Sequence, residues 1–558
     1  MPSKKKSPAK ATTPALPLDL DQSSRVAELP PSQPSLSLSP SHPRPPKPSA
    51  FKELGLKQTV ELLKEEIRDL YLADEVPWII GYSGGKDSSA TLQLTWLALK
   101  DLPPEQRQKT IHVISTDTMV ENPVVSTWVA RSLNSMAKAA KEQGLPFLPQ
   151  LLRPQIDESF WVNLIGRGYP APRPKFRWCT ERLKIRPSNR FISSVVTENG
   201  EAILLIGARK AESVARARVL NKNQKHRIRD RLSPSATLAG CMIYTPVEDW
   251  SNDDVWMFLM QVKNPWGLTN KDLLGMYQGA SPDGECPLVV DSSTPSCGDS
   301  RFGCWVCTLV EKDKSMTAMI QNDAEKEWMM PLLKLRNALD FRSENKSDKA
   351  DFFSDAPQEG HSDHHLRDFR RMTGAIQLFD DGRHVPGPYL QESRERWLRM
   401  LLEAQTWIRK NGPEDVREME LITIEELQEI RRQWVVEKHE WEDSLPRIYR
   451  EATGREYPGP PLDDNLVMGD EEVRILKDLC GEDRLHFEMT RELLGVERRQ
   501  RAQARRSGLL EQLEKSIKRH YYSGREDATD MARRHLAAKR AAELGYADAA
   551  VIGESEGD

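Results

Sequence analysis

The chain is poor in cysteine, with seven in 558 residues, which excludes a disulfide scaffold. It has no run of eighteen apolar residues, so no membrane span is expected. It has no strong charge of one sign. The 80 Lys and Arg against 84 Asp and Glu leave a net −4, so no global field names a partner. Lys4, Lys5 and Lys6 are not followed by an apolar h-region, so no secretory signal is read and the cytoplasm is the expected location. What cysteine there is lies unevenly: four of the seven fall between Cys286 and Cys307, the pattern of a metal site in a reducing compartment.

The length suits two or three domains. Residues 1–50 hold 12 of the 38 prolines and few large apolar side chains. Such a segment cannot bury enough surface to offset its ordering entropy, and a disordered Pro/Ser-rich tail is expected there. The next stretch is organised around Ile80-Gly81-Tyr82-Ser83-Gly84-Gly85-Lys86-Asp87-Ser88-Ser89. An apolar run, Val76 to Ile80, precedes it and reads as a buried strand. Ser88 to Leu99 follows as a helix with Leu92, Trp96 and Leu99 on one face. Adjacent glycines let backbone approach an anion. The free N–H groups of the first helical turn then face the charge. Ser83, Ser88 and Lys86 add donors. A Walker A loop is excluded, because Ile80 stands where its first glycine belongs and Asp87 where its Ser or Thr belongs.

Further along, Leu56, Val60, Leu63, Ile67 and Leu70 recur at helical spacing. Ile111 to Ser115 reads as a strand, and Glu121-Asn122-Pro123 opens a helix. Ligands of open α/β sheets sit at strand carboxyl ends, which puts Asp117 either beside a nucleotide or magnesium ion or in a plain turn. Residues 153–190 interleave Arg167, Arg173, Lys175, Arg177, Arg182, Lys184 and Arg186 with Tyr169, Phe176 and Trp178, a pattern suited to a nucleic-acid backbone or a polyphosphate. Within it, cations around Cys179 are expected to lower its thiol pKa and make it reactive. Ala202 to Ile206 reads as another strand, running into Gly207 and Arg209. The basic block from there to Arg231 reads as a mobile loop. Ser251 and Asp254 mark a helix start.

The stretch Ser83 to Ser88 resembles the PP-loop of ATP pyrophosphatases. With Gly207-Ala208-Arg209-Lys210-Ala211-Glu212-Ser213-Val214-Ala215-Arg216 and Pro246 to Trp256, it resembles the phosphoadenosine phosphosulfate reductase branch of that family. The resemblance implies an α/β fold, a Rossmann-like PP-loop domain over residues 51–280. It implies ATP bound by Ser83, Gly84, Gly85, Lys86, Asp87, Ser88, Asp117 and Glu212, with Mg2+. Catalysis would fall to Lys86, Asp87, Arg209 and Arg216, the two arginines taking the charge of departing pyrophosphate. The reductases' Glu-Cys-Gly-Leu-His tail does not appear in Gly553 to Asp558, so sulfate reduction is not expected.

Cys286, Cys297, Cys304 and Cys307 are spaced C-x10-C-x6-C-x2-C. Four thiolates suit zinc or a [4Fe–4S] cluster. This Cys-rich segment, 281–325, sits after the reductase-like core and ahead of a helical C-terminal region, 326–545, and a flexible tail, 546–558. In that order the chain is similar to the DndC family of sulfurtransferases in bacterial DNA phosphorothioation. That resemblance implies a [4Fe–4S] cluster on the four cysteines, DNA as substrate, a cysteine desulfurase as sulfur donor, other subunits of the modification complex as partners, and Cys179 as a sulfur relay. The alternatives are tRNA thiolation, a small-molecule sulfur enzyme, or a non-catalytic DNA-binding assembly subunit. In the C-terminal half, Trp397, Leu401, Leu402 and Trp407 mark one amphipathic helix. Thr423 and Glu426 form a capping box for another. His361, His364 and His365 lie in a charged stretch, Arg498 to Arg506 on a later helix, and no catalytic constellation is read there.

Overall fold

The computed structural model describes residues 49–173, 176–227, 231–280, 302–340, 363–379, 384–462, 469–501 and 506–543. All belong to one unit, Lys47–Asp558. The expected tail before residue 49, Lys175, Cys286, Cys297, His361, Arg505 and the segment from 544 onward lie outside the described residues.

The fold is α/β. Helix α1 (Gly55–Leu72) leads into β1 (Trp78–Gly81), α2 (Lys86–Lys100), β2 (Ile111–Thr116), α3 (Pro123–Gln143) and β3 (Phe147–Leu152). Then come α4 (Arg186–Asn199), β4 (Ala202–Leu205), α5 (Val214–Lys225), β5 (Ser233–Pro234), β6 (Cys241–Tyr244), α6 (Asn252–Gln261) and α7 (Asn270–Gly279). The six strands lie in the order β3-β2-β1-β4-β6-β5. All neighbours are parallel except the β5 edge. Ile80 of β1 pairs with Val113 on one side and Leu205 on the other. The chain leaves β1 in one direction and reaches β4 on the opposite side, so the carboxyl ends of β1 and β4 flank the sheet's switch point, where such folds open a crevice.

Local chemistry sets several boundaries. The Asn122 side chain accepts the Val124 N–H and Pro123 occupies the first helical position, so α3 begins there. Gly144 ends it in the left-handed conformation. Ser251 and Asp254 cap α6 reciprocally, as expected from sequence. The block 209–231 is not a loop: Val214–Lys225 is helical, because the Ser213 side chain accepts the Arg216 N–H and caps it.

One face of the sheet is covered by α1, α2, α3 and α6, with Trp78, Leu92, Leu94, Trp96, Val113, Trp128 and Trp256 in a common core. Ile192 and Val195 of α4 cover the other face over Ile79 and Ile114. A second core joins residues 120–183 to the Cys-x-x-Cys segment and the C-terminal helices, through Trp161, Trp178, Trp305, Trp397, Leu401 and Trp434. Two tryptophans stitch it reciprocally. Trp161 donates to the Leu421 carbonyl at 2.8 Å, and Trp434 donates to the Ile165 carbonyl at 2.9 Å. This core runs across the boundaries expected at 280 and 325. The helices Gln391–Asn411 and Ile424–Arg432 form as the sequence predicts, the second with its Thr423/Glu426 capping box. No helix among the described residues is long and apolar enough to cross a membrane.

Candidate functional site

The phosphate loop lies between β1 and α2. Gly84 has φ +75°, and a Cβ there would come to 2.5 Å of the Val129 side chain, so only glycine fits. Its carbonyl accepts the Trp128 indole N–H at 3.0 Å. That bond gives the Gly84 carbonyl a partner outside the loop. The Ser88 hydroxyl donates to the Gly85 carbonyl at 3.0 Å and stands 3.1 Å from the Ser83 hydroxyl. The Ser83 N–H donates to Ser88 at 3.2 Å. Lys86 is buried, which lowers its pKa, Asp87 working in the opposite sense.

The loop after β4 closes on this site. A Cβ at Gly207 would lie 2.6 Å from the Asp87 carbonyl oxygen and 2.9 Å from Ser88 N, so the glycine is what lets the two segments touch. Arg209, 3 % exposed, donates from Nε to Asp87 Oδ1 at 2.7 Å and from NH1 to the Trp250 carbonyl at 3.2 Å. Glu212 accepts the Arg209 N–H at 2.9 Å, and Arg216 Nε is 3.5 Å from Glu212. The structure therefore brings Lys86, Asp87, Arg209, Glu212 and Arg216 together. Asp117, just past β2's carboxyl end, accepts the Met119 N–H at 2.8 Å and the Arg153 Nε–H at 3.0 Å.

The second half of the site is built on β2's carboxyl end. Cys304 forms an antiparallel bridge with Glu121, and the Trp305 N–H donates to the Val120 carbonyl at 3.0 Å. The Cys307 N–H donates to the Cys304 carbonyl at 3.0 Å, closing the Cys-x-x-Cys turn. Arg336, fully buried, donates to the carbonyls of Cys307 (3.1 Å), Glu311 (2.9 Å) and Val310. Thr308 donates to the Pro172 carbonyl at 2.6 Å. Lys184 Nζ stands 3.2 Å from Glu121, and its pKa is raised, by the Cys304 side chain first and by Glu121, against the opposing effect of burial. Burial pushes the Cys304 thiol up to about 12, with Glu121 adding to it.

Cys179 belongs to this second group. It precedes a π-helical turn, Thr180–Ile185, that runs into α4, and its thiol interacts with Cys304 and Cys307. The expectation of a lowered pKa is corrected. Burial, with Cys307 in support, pushes the thiol up. The cations around it are engaged elsewhere: Arg182 with Asn163 and Tyr169, Arg186 with Glu158 and Glu181, and Arg173 with Asp363. The basic run 153–190 is thus largely neutralised within the fold. Helix α5 is the contrary case, with exposed Arg216, Arg218, Lys222 and Lys225 and no acidic residue of its own.

Among the described residues no group of three or more His, Cys, Asp or Glu is gathered as for a metal ion. Cys304 and Cys307 suit an iron–sulfur or zinc centre by chemistry and by their fixed turn. Phe302 and Tyr277, which no motif flagged, turn out to lie between the two halves, ring centroids 4.7 Å apart. The only sequence signal for them was an apolar side chain near the cysteines.

The glycine-serine loop thus stands at the switch point of a mostly parallel α/β sheet. Residues 77–309 match the family model described as the phosphoadenosine phosphosulfate reductase domain. An uncharacterized protein of Methanocaldococcus jannaschii is 26% identical over 245 residues, covering 44% of this chain and 39% of the relative's length. Among solved structures, phosphoadenylyl-sulfate reductase of Candida auris matches at 16% identity and TM-score 0.24, over 41% of this chain and 89% of that one. The U34-tRNA thiolase NcsA of Methanococcus maripaludis, solved with its [4Fe–4S] cluster, matches at 15% identity and TM-score 0.26, over 53% and 84%.

Proposed function

We propose that this chain is an ATP-dependent sulfurtransferase that replaces a non-bridging oxygen of a DNA backbone phosphate by sulfur, as in the DndC family. The observation that carries the reading is the Glu121–Cys304 bridge. It sets the Cys-x-x-Cys turn at the carboxyl end of β2, the strand beside the one that feeds the phosphate loop.

In this mechanism the loop N–H groups and Lys86 hold the ATP phosphates, with Mg2+ as counter-charge. The DNA phosphate oxygen attacks the α-phosphorus and pyrophosphate leaves. Arg209, aimed by Asp87, and Arg216 take up the charge that builds on the leaving group. A persulfide sulfur from a cysteine desulfurase then attacks the activated DNA phosphorus and AMP departs with the oxygen; a second thiol attacks the carrier cysteine sulfur, forming a disulfide with it and releasing the phosphorothioate. Cys179, in its protonated resting form, is the relay for that sulfur and gives up its proton on receiving it. A [4Fe–4S] cluster held by Cys304, Cys307, Cys286 and Cys297 would supply thiolate-bound iron chemistry when present. The exposed cations of α5 meet the DNA backbone. The other subunits of the modification complex complete the assembly.

The test is mass spectrometry of nuclease-digested DNA and tRNA from cells with and without the gene. Sulfur-bearing dinucleotides that vanish from DNA on deletion support the reading. A thionucleoside lost from tRNA instead transfers the same chemistry to RNA. No change in either sinks nucleic-acid thiolation. Pyrophosphate release on mixing ATP, DNA and protein separates an enzyme from an assembly subunit.

A further inference from the structure

Tyr277 lies on α7, far in sequence from the phosphate loop, yet it reaches the loop's first helical residue. It is 6 % exposed. Its hydroxyl accepts the Lys86 N–H at 3.3 Å, one of the donors that an anion would claim. A Cβ at Gly85 would stand 3.2 Å from that hydroxyl, so the second loop glycine makes room for it. Lys86 Nζ lies 5.2 Å over the Tyr277 ring, a cation–π arrangement. Behind the ring, Phe302 packs edge-on at 4.7 Å and Trp256 at 5.2 Å. Phe302 precedes Cys304 by two residues.

We propose that Tyr277 is a positioning residue that joins the nucleotide loop to the cysteine-bearing segment. Its ring fixes the Lys86 ammonium, its hydroxyl holds the Lys86 N–H until an ATP phosphate takes it, and Phe302 seats the ring from behind. The inference rests on the ATP reading given above. Tyrosine suits the role because burial pushes its phenol well above the ordinary value. It stays protonated and sets no anion against an incoming phosphate.

The experiment uses the full chain, with ATP affinity by calorimetry and steady-state pyrophosphate release. Tyr277→Phe keeps the ring and deletes the competitor for the Lys86 N–H. It should tighten ATP binding by about threefold to tenfold, the worth of one such hydrogen bond. Tyr277→Leu deletes the ring. It should lower kcat about tenfold or more, with a much smaller change in ATP affinity, because the ammonium is no longer held in line. Phe302→Ala should move kcat in the same direction by less. Weaker or unchanged ATP binding in Tyr277→Phe, or wild-type kcat in Tyr277→Leu, overturns the proposal alone. A wild-type chain that binds no ATP overturns the function reading and this inference together.

Discussion

Glu426 offers a test of how the fold handles charge. Its Oε2 accepts the Thr423 N–H at 3.0 Å, and its own N–H donates to the Thr423 hydroxyl at 3.2 Å. The side chain is 1 % exposed. Burial pushes its pKa up to about 7, with Asp117 adding to the rise and the Thr423 N–H and Ser159 opposing it. The folded protein therefore holds this proton more tightly than the unfolded chain does. Stability from Glu426 is complete below about pH 4.3, the unfolded value, and is lost as pH rises through about 7. The loss amounts to about 3 kcal/mol at pH 8. Glu426→Gln keeps an oxygen for the Thr423 N–H and has no proton to lose. Urea unfolding of both proteins at pH 5, 6, 7 and 8 should show the variant gaining on the wild type as pH rises, by about 1–3 kcal/mol at pH 8. A variant that is no more stable relative to wild type at pH 8 than at pH 5 would refute the reasoning.

Four other outcomes follow from the geometry. Arg209→Lys cannot reach both Asp87 and the Trp250 carbonyl; pyrophosphate release should fall about a hundredfold or more, with ATP binding less affected. Gly207→Ala forces a Cβ against the Asp87 carbonyl, and a calorimetric scan should find it destabilised by about 1–3 kcal/mol with weaker ATP binding. Arg336→Met strands the carbonyls of Cys307, Val310 and Glu311; iron bound per chain, measured after anaerobic purification, should drop, and stability by about 3 kcal/mol. Burial alone would raise Glu488's pKa, but Arg370 and Arg484 hold it at about 2. Its contribution is present above about pH 4.3 and lost as pH falls toward 2, so the stability gap between wild type and Glu488→Gln should shrink between pH 5 and pH 3 in urea titrations.

The parts of the fold that the sequence made legible are those decided within a few residues. The loop from Ser83 to Ser88, the Asn122-Pro123 start of α3 and the caps at Ser251 and Thr423 are local hydrogen-bond chemistry, and each reads directly. Charge runs read badly, because their meaning depends on distant partners. Arg173 meets Asp363 and Arg186 meets Glu158, contacts no window could contain. Helix α5 is hard to read from sequence because its cap, Ser213, also falls inside the Gly207–Arg216 motif. Strand β3 carries Pro149 and exposed Leu148 and Leu151, which blur its alternation; the edge position tolerates both. Cys179 shows how burial outweighs a neighbourhood of cations when those cations are already paired.

The reciprocal tryptophan bonds, Trp161 to Leu421 and Trp434 to Ile165, bear on how the protein is made. On the ribosome, the sheet can close once residue 260 or so has emerged, but the core around Trp161, Trp178 and Trp305 is incomplete until the helices beyond Gln391 are synthesised. At about 5–20 residues per second, that leaves an apolar surface waiting for about 7–26 seconds. A nascent chain stalled in that interval is the form that most needs a chaperone. For the same reason a fragment cut at the family-model boundary, residue 309, would carry the nucleotide loop but would leave the cysteine turn resting on half a core.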